Sequence, residues 1–250
     1  GIDGFKFDAG DYVYYPSDAF SKGGLSGNEQ CSLFATLGLE YPYNEYRAGW
    51  QMAGKPLVQR LHDKAHSWED LGKLIPEMLA ENILGYCFSC PDMVGGGSFA
   101  TFLAGEVNQD LIVRSAQCHA LMTMMQFSLA PWRVLDKEHY AAVLKAVRMR
   151  EDLMPLIMSL AADAAATGAP IMRPLEYVFP HQGYGDVKDQ FMLGDSLMVA
   201  PMVTPGFERK VSLPEGVWTA DDGTVYEAPS GGMTVSVTVP LDRIPHFRLN

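Results

Sequence analysis

Residues 1–168 alternate short apolar runs with longer amphipathic segments, and this alternation limits the possible folds more than any other feature of the chain. The predicted strands are Gly4–Asp8, Tyr43–Ala48, Pro56–His62, Tyr86–Cys90 and Met122–Ser128. The predicted helices are Asn28–Leu39, the segment from Ser67 to Leu84, Asp110–Leu121 and Lys137–Ala166. Because strands that alternate with helices form parallel sheets, the sequence predicts an α/β fold of about five strand–helix units.

The pattern changes after Gly168, where Pro and Gly recur and the apolar runs become short and β-rich. These runs are Gln190–Leu193, Ser196–Pro201, Lys210–Leu213, Met233–Val239 and His246–Leu249. Short β-rich runs between turn residues predict an all-β sandwich. The predicted domains are therefore residues 1–168 and residues 169–250.

A polar residue lies at or just beyond the carboxyl end of each predicted strand of the first region; these residues are Asp8, Arg47, Asp63, Asp92 and Gln126. A (β/α)8 TIM barrel has its site on this carboxyl-end rim, so we interpret residues 1–168 as the C-terminal five units of such a barrel. Three units would then precede Gly1. Because the chain begins with a predicted strand, we interpret it as a fragment of a longer protein. A flavodoxin-like sheet is an alternative, but it needs a phosphate-binding loop, and no such motif is visible.

Asp8 and Asp63 are the candidate catalytic residues, because each carboxylate follows a predicted strand. A retaining glycosidase requires two carboxyl groups about 5–5.5 Å apart, one as nucleophile and one as acid/base. Either Asp alone is more often a loop residue or a helix cap. Lys6 lies between two phenylalanines of a strand, where an inward ammonium needs an anionic or hydroxyl partner. Trp50 is able to stack on a sugar ring, although an aromatic side chain more often belongs to the core.

Composition argues against several other functions. With 19 Lys and Arg against 30 Asp and Glu, the net charge of −11 disfavours binding to nucleic acid. No apolar run is long enough for a transmembrane helix, so no membrane partner is predicted. The four Cys suggest no disulfide framework, which favours a reducing compartment such as the cytoplasm. Cys87 and Cys90 have CxxC spacing but no second pair, so we predict no metal site.

The motifs, in this order, resemble those of glycoside hydrolase family 31. The similar segments are Asp3–Asp11 for the nucleophile strand, Arg47–Trp50 for the substrate-binding Arg, Arg60–Asp63 with Ser67 and Trp68 for the acid/base loop, and Pro91–Gly96 for an Asp-containing turn. Gly168–Leu175, Asp189–Pro201 and Leu213–Trp218 are similar to the family's C-terminal β-sandwich. The resemblance covers essentially the whole chain.

This resemblance implies a retaining exo-α-glycosidase that hydrolyses terminal α-linked sugars through a covalent glycosyl-aspartate intermediate. Asp8 is then the nucleophile and Asp63 the acid/base, while the implied substrate-binding residues are Lys6, Arg47, Trp50, His62 and Asp92. The implied substrate is an oligosaccharide or another α-glycoside, and the chemistry uses no cofactor. The missing N-terminal part of the same enzyme would complete the sugar pocket.

Some segments are most similar to the branch of the family that is associated with α-galactoside cleavage; they are Phe5–Gly10, Pro91–Gly96 and Met125–Trp132. Two positions depart from the common family pattern. His62 stands where many members have Gly, and Gln126–Ser128 replaces a segment whose His normally contacts sugar hydroxyls. We therefore expect galactose to be preferred over glucose. A non-catalytic carbohydrate-binding or scaffolding protein is the alternative, and the sequence leaves a homo-oligomer open.

Overall fold

A computed structural model of the chain describes residues 1–105 and 107–250. Its first part contains a parallel sheet of four strands in chain order: β1 (Gly4–Phe7), β2 (Tyr43–Tyr46), β3 (Val58–Arg60) and β4 (Ser89–Cys90). Its helices are α1 (Gly27–Thr36), α2 (Trp68–Ile83), α3 (Phe99–Leu103), α4 (Gln109–Ala120), α5 (Pro131–Val134) and α6 (Lys137–Thr167). The predicted α/β character of this part is confirmed.

Register fixes which side chains meet across the sheet. Lys6 of β1 pairs with Glu45 of β2, and Glu45 in turn pairs with Val58 of β3. Because all four strands run in the same direction, their carboxyl ends lie along one edge, where the polar residues that follow each strand come together.

Capping explains where α2 begins. The Ser67 hydroxyl accepts a hydrogen bond from the backbone N–H of Asp70 at 3.2 Å, so Ser67 is the N-cap of the helix that was predicted to start there. The Asp70 carboxylate accepts from the backbone N–H of Ala65 at 2.6 Å. This bond ties the loop before the helix to its first turn.

The predicted strand Met122–Ser128 does not form a ladder with its neighbour. Among the described residues it makes a single parallel bridge, between Gln126 and Met93, with the Val94 N–H donating to the Gln126 carbonyl at 2.8 Å. The carbonyls of Met122 and Thr123 accept instead from the Arg150 guanidinium of α6, at 2.7 and 2.8 Å. The strand prediction is therefore wrong for most of its length, because a side chain takes the acceptors that a ladder would use.

The chain after residue 168 is β-rich, as predicted, with one short helix, α7 (Leu175–Val178). Its strands are β5 (Met172–Arg173), β6 (Phe191–Leu193), β7 (Leu197–Val199), β8 (Glu208–Leu213), β9 (Gly216–Ala220), β10 (Val225–Ala228), β11 (Met233–Thr238) and β12 (His246–Leu249). They form an antiparallel sheet in the order β10-β9-β12-β7-β6-β5 and a separate hairpin of β8 and β11. Sequence reasoning missed β5, β9 and β10.

The largest apolar cluster crosses residue 168. It joins Leu61, Ile75 and Met122 of the α/β part to Phe191 and Val199 of the β-rich part, all of them at most 7% exposed. A second cluster around Trp218 lies within the β-rich part. Since burial of apolar surface is the main favourable term in folding, the two parts stabilise each other through the shared cluster.

Candidate active site

Arg60, the last residue of β3, lies at the centre of the carboxyl-end edge and is 2% exposed. Its Nη1 lies 2.8 Å from Asp63 Oδ1 and 3.3 Å from Asp92 Oδ1. Its Nη2 lies 3.2 Å from Asp8 Oδ1, and its Nε lies 3.1 Å from Glu45 Oε1. Burial alone would lower the pKa of Arg60, but the hydrogen bond to Asp63 and the nearby carboxylates raise it. The Arg60 guanidinium thus contacts four carboxylates.

Arg47, which follows β2, contacts two of the same carboxylates, and its side chain is 14% exposed. Its Nη1 lies 3.3 Å from Asp8 Oδ1 and 3.6 Å from Asp63 Oδ2. These two oxygens are therefore at most about 7 Å apart, which is the sum of the two distances. Arg47 also forms a bidentate pair with Asp11, and this hydrogen bond raises the pKa of Arg47. The structure thus brings Asp8, Asp63 and Arg47 together.

The predicted catalytic carboxylates differ from Asp92 in their access to solvent. The side chains of Asp8 and Asp63 are 62% and 40% exposed, whereas Asp92 is fully buried. Asp92 Oδ2 accepts from the backbone N–H groups of Lys64 and Gly97, both at 2.8 Å. Burial raises the pKa of Asp92, although these donors and Arg60 oppose the rise. The structure places Asp92 beneath the rim, which differs from the predicted contact with sugar.

Lys6 has an anionic partner, as its position in a strand predicts, and an amide partner as well. Its Nζ lies 3.4 Å from Glu45 Oε1 and donates to Gln126 Oε1 at 3.3 Å. The Gln126 amide in turn donates to Glu45. These three side chains border a cavity of about 660 Å³. The described ion pairs of Asp8 are with Arg47 and Arg60.

Trp50 and His62 lie at the periphery of this cluster. Trp50 is 40% exposed, and its carbonyl accepts from the Ser32 hydroxyl. His62 is exposed, and its Nδ1 lies 3.4 Å from the Nζ of Lys64. Within the described residues, no hydrogen bond or ion pair joins either ring to Asp8 or Asp63.

Sequence reasoning missed Arg60, Glu45 and Asp11 as site residues. Arg60 and Glu45 are charged residues inside strands, and a charge in a buried strand is the signal that identifies them. Asp11 lies three residues after Asp8, in the same loop as a more prominent carboxylate. Its role depends on Arg47, which is distant in sequence.

The four cysteines are unsuited to act as reactive thiols. Cys31, Cys87, Cys90 and Cys118 are free and buried. Burial raises the pKa of both Cys90 and Cys118 to about 12, which keeps these thiols protonated.

Over residues 1–105 and 107–250, no three His, Cys, Asp or Glu side chains are grouped as a metal-binding set. No helix within the same ranges is long and apolar enough to span a membrane.

Comparisons with known proteins give a consistent result. Residues 168–248 match the family model described as the glycosyl hydrolase family 31 C-terminal domain. The myogenesis-regulating glycosidase of Mus musculus is 36% identical over 98% of this chain and 36% of its own length. The α-xylosidase of Saccharolobus solfataricus is 31% identical over 74% of this chain and 26% of its own length.

Among solved structures, the cycloalternan-degrading enzyme of Trueperella pyogenes, in complex with a covalent intermediate, is similar to the whole chain. Its TM-score is 0.83 and its sequence is 26% identical, and the match covers 100% of this chain and 37% of that one. The chain therefore spans a little over a third of the length of this enzyme and of the mouse glycosidase.

Proposed function

Because this chain belongs to glycoside hydrolase family 31, we propose that it carries the catalytic pair of a retaining exo-α-glycosidase. Asp8 is the nucleophile and Asp63 the acid/base. The observation that carries the proposal is their shared contact with Nη1 of Arg47, which limits the separation of the two oxygens to about 7 Å. Retaining enzymes have the two groups about 5–5.5 Å apart, and inverting enzymes about 6.5–9.5 Å.

The proposed reaction has two displacements. A carboxylate oxygen of Asp8 bonds to the anomeric carbon while the bond to the leaving oxygen breaks, and that oxygen takes the proton of Asp63. Water then attacks the same carbon, its proton passes to the Asp63 carboxylate, and Asp8 is released. The contacts of Asp8 with Arg47 and Arg60 hold its carboxylate in position as the nucleophile.

We propose that Lys6, Arg47, Trp50 and His62 bind the substrate, an oligosaccharide or another α-glycoside. Arg47 contacts both Asp8 and the partly exposed Asp63, and a sugar hydroxyl is able to replace its 3.6 Å contact with Asp63. Asp92 has no exposed surface, so its proposed contribution is to orient Arg60 and the loop at Lys64. No cofactor takes part in this chemistry.

The architecture of the proposed enzyme follows the family. We propose that residues 1–168 are the last five units of a (β/α)8 barrel and that residues 169–250 are a β-sandwich domain. The chain order of β1 to β4 and the parallel bridge between Gln126 and Met93, three residues after β4, support the barrel assignment. The buried free cysteines support a reducing compartment such as the cytoplasm.

The catalytic assignment is tested on the full-length protein with nitrophenyl α-glycosides. We expect Asp8→Asn to lower kcat/KM for these substrates by at least about 10⁴-fold, since it removes the nucleophile. Asp63→Ala is expected to lower kcat/KM for the methyl α-glycoside, whose alkoxide leaving group requires a proton, by about 10²–10⁴-fold. Asp186→Asn, at an exposed position, is the matched control and leaves the rate unchanged. The first-formed sugar, followed by NMR, retains the α configuration.

The same assay measures which sugar the protein prefers. The pairing of Gln126 with Glu45 and Lys6, where many members carry His, supports a higher kcat/KM for the α-galactoside than for the α-glucoside. A strong preference for the glucoside contradicts this specificity. Wild-type protein that binds sugars but cleaves neither glycoside supports the non-catalytic alternative instead.

A further inference from the structure

Lys64 directly follows the proposed acid/base, and its ammonium is buried behind the acid/base loop. Its side chain is 3% exposed, and its Nζ lies 2.7 Å from Glu77 Oε2 on α2. The same Nζ donates to the carbonyl of His62 at 3.0 Å and lies 3.4 Å from His62 Nδ1. Nothing in the proposed reaction uses this ammonium directly.

The ammonium fixes His62 at two points. Because an ammonium has donors only, Nδ1 is the acceptor, and a neutral His62 ring then has its proton on Nε2. The backbone of Lys64 is held as well, since its N–H donates to the buried Asp92 carboxylate at 2.8 Å. Asp63 therefore lies between two residues that are both anchored to buried groups.

The buried charge of Lys64 is balanced from α2. Glu77 supplies a carboxylate that is partly exposed, with 31% of its side chain accessible. Glu81 lies one helical turn later, and burial raises its pKa to about 8, so at neutral pH it is protonated. The cluster then contains one ammonium and one carboxylate, a balance that a low-dielectric site tolerates.

We propose that Lys64 is a positioning residue for the acid/base step: its ammonium, paired with Glu77, fixes His62 and the backbone on both sides of Asp63, and so aims the Asp63 carboxyl at the leaving oxygen. This inference rests on the proposed glycosidase function. It assigns a role to two residues, His62 and Lys64, that flank the acid/base in sequence.

The test separates proton donation from folding by comparing two leaving groups. A 2-chloro-4-nitrophenolate departs without a proton, whereas an alkoxide requires one, so only the alkyl glycoside depends on the aim of Asp63. In the full-length protein, Lys64→Met is expected to lower kcat/KM for the methyl α-glycoside by at least about tenfold relative to the chloronitrophenyl α-glycoside. This ratio is independent of the folded fraction, because both substrates meet the same sample.

Two further variants complete the test. Lys64→Arg retains a cation and is expected to recover most of the ratio, and the exposed Lys188→Met is the matched control that leaves it unchanged. An active wild type whose ratio is unaltered by Lys64→Met overturns the inference alone. A wild type that cleaves neither glycoside overturns the proposed function and this inference with it.

Discussion

The Glu81 carboxyl lies on α2 beside the Lys64–Glu77 pair, and burial raises its pKa from 4.5 to about 8. The unfolded chain loses this proton near pH 4.5, while the folded chain retains it up to about pH 8. Between these values the folded state binds more protons, so stability falls as the pH rises, by at most about 1.4 kcal/mol per pH unit for one proton.

We therefore expect Glu81→Gln to stabilise the protein, and to do so more at pH 8 than at pH 5. The amide retains the shape of the side chain but does not ionise. Urea unfolding of both proteins at the two pH values measures the effect. Glu208→Gln, at an exposed position, is the control, and an equal gain for Glu81→Gln at both pH values would contradict the burial argument.

Among individual residues, the sequence identifies some members of the candidate site and misses others. Asp8, Arg47 and Asp63 follow predicted strands, so their meeting at one edge follows from the parallel fold. Arg60 does not stand out in the sequence, because its importance comes from the direction of a side chain that contacts four carboxylates from separate segments. Strand pattern alone does not contain that information.

Gly72, inside a helix, and Gly168, at the end of another helix, show how the same substitution to Ala has opposite effects on stability. Gly72 lies inside α2, and a Cβ added there has no heavy atom within 4 Å. Gly168 ends α6 with a φ of 78°, in the left-handed region. Ala is a better helix former than Gly, but it is strained in the left-handed conformation.

Gly72→Ala is expected to raise the free energy of unfolding by about 0.5–1 kcal/mol. Gly168→Ala is expected to lower it by about 1–2 kcal/mol. Thermal and urea unfolding of the two variants beside the wild type measure both changes. Changes of the same sign would show that the two glycines are not distinguished by backbone conformation.

The elements themselves were predictable where their signals are local. The Ser67 cap and the terminal Gly168 mark α2 and α6, and both helices form as expected. The segment Met122–Ser128 has strand composition, yet Arg150 takes the carbonyls of its first two residues. That contact joins residues far apart in sequence, so propensity could not exclude the strand.

Arg114 of α4 links the two parts of the molecule. It is 2% exposed, and its guanidinium donates to the carbonyls of Val239 at 2.7 Å and Pro240 at 3.2 Å. Together with the apolar cluster that crosses residue 168, this contact couples the α/β part to the β-rich part. The sequence showed a change of pattern at this point, but it did not show that the core continues across it.

Arg114→Met is expected to lower the free energy of unfolding by about 1.5–3 kcal/mol, because the buried Val239 carbonyl loses a charged donor. The exposed Arg248→Met is the matched control. We expect calorimetry of the wild type to show one transition for both parts. Two separate transitions, with only one of them shifted by Arg114→Met, would contradict the coupling.

The shared guanidinium of Arg60 has an evolutionary consequence. Since Asp8, Glu45, Asp63 and Asp92 all contact one cation, loss of any one changes the electrostatic balance for the other three. Substitutions among them are then epistatic, and their effects do not add. A lineage that loses one of these carboxylates no longer faces the same cost for losing the next, so the four are expected to be retained together or to decay together.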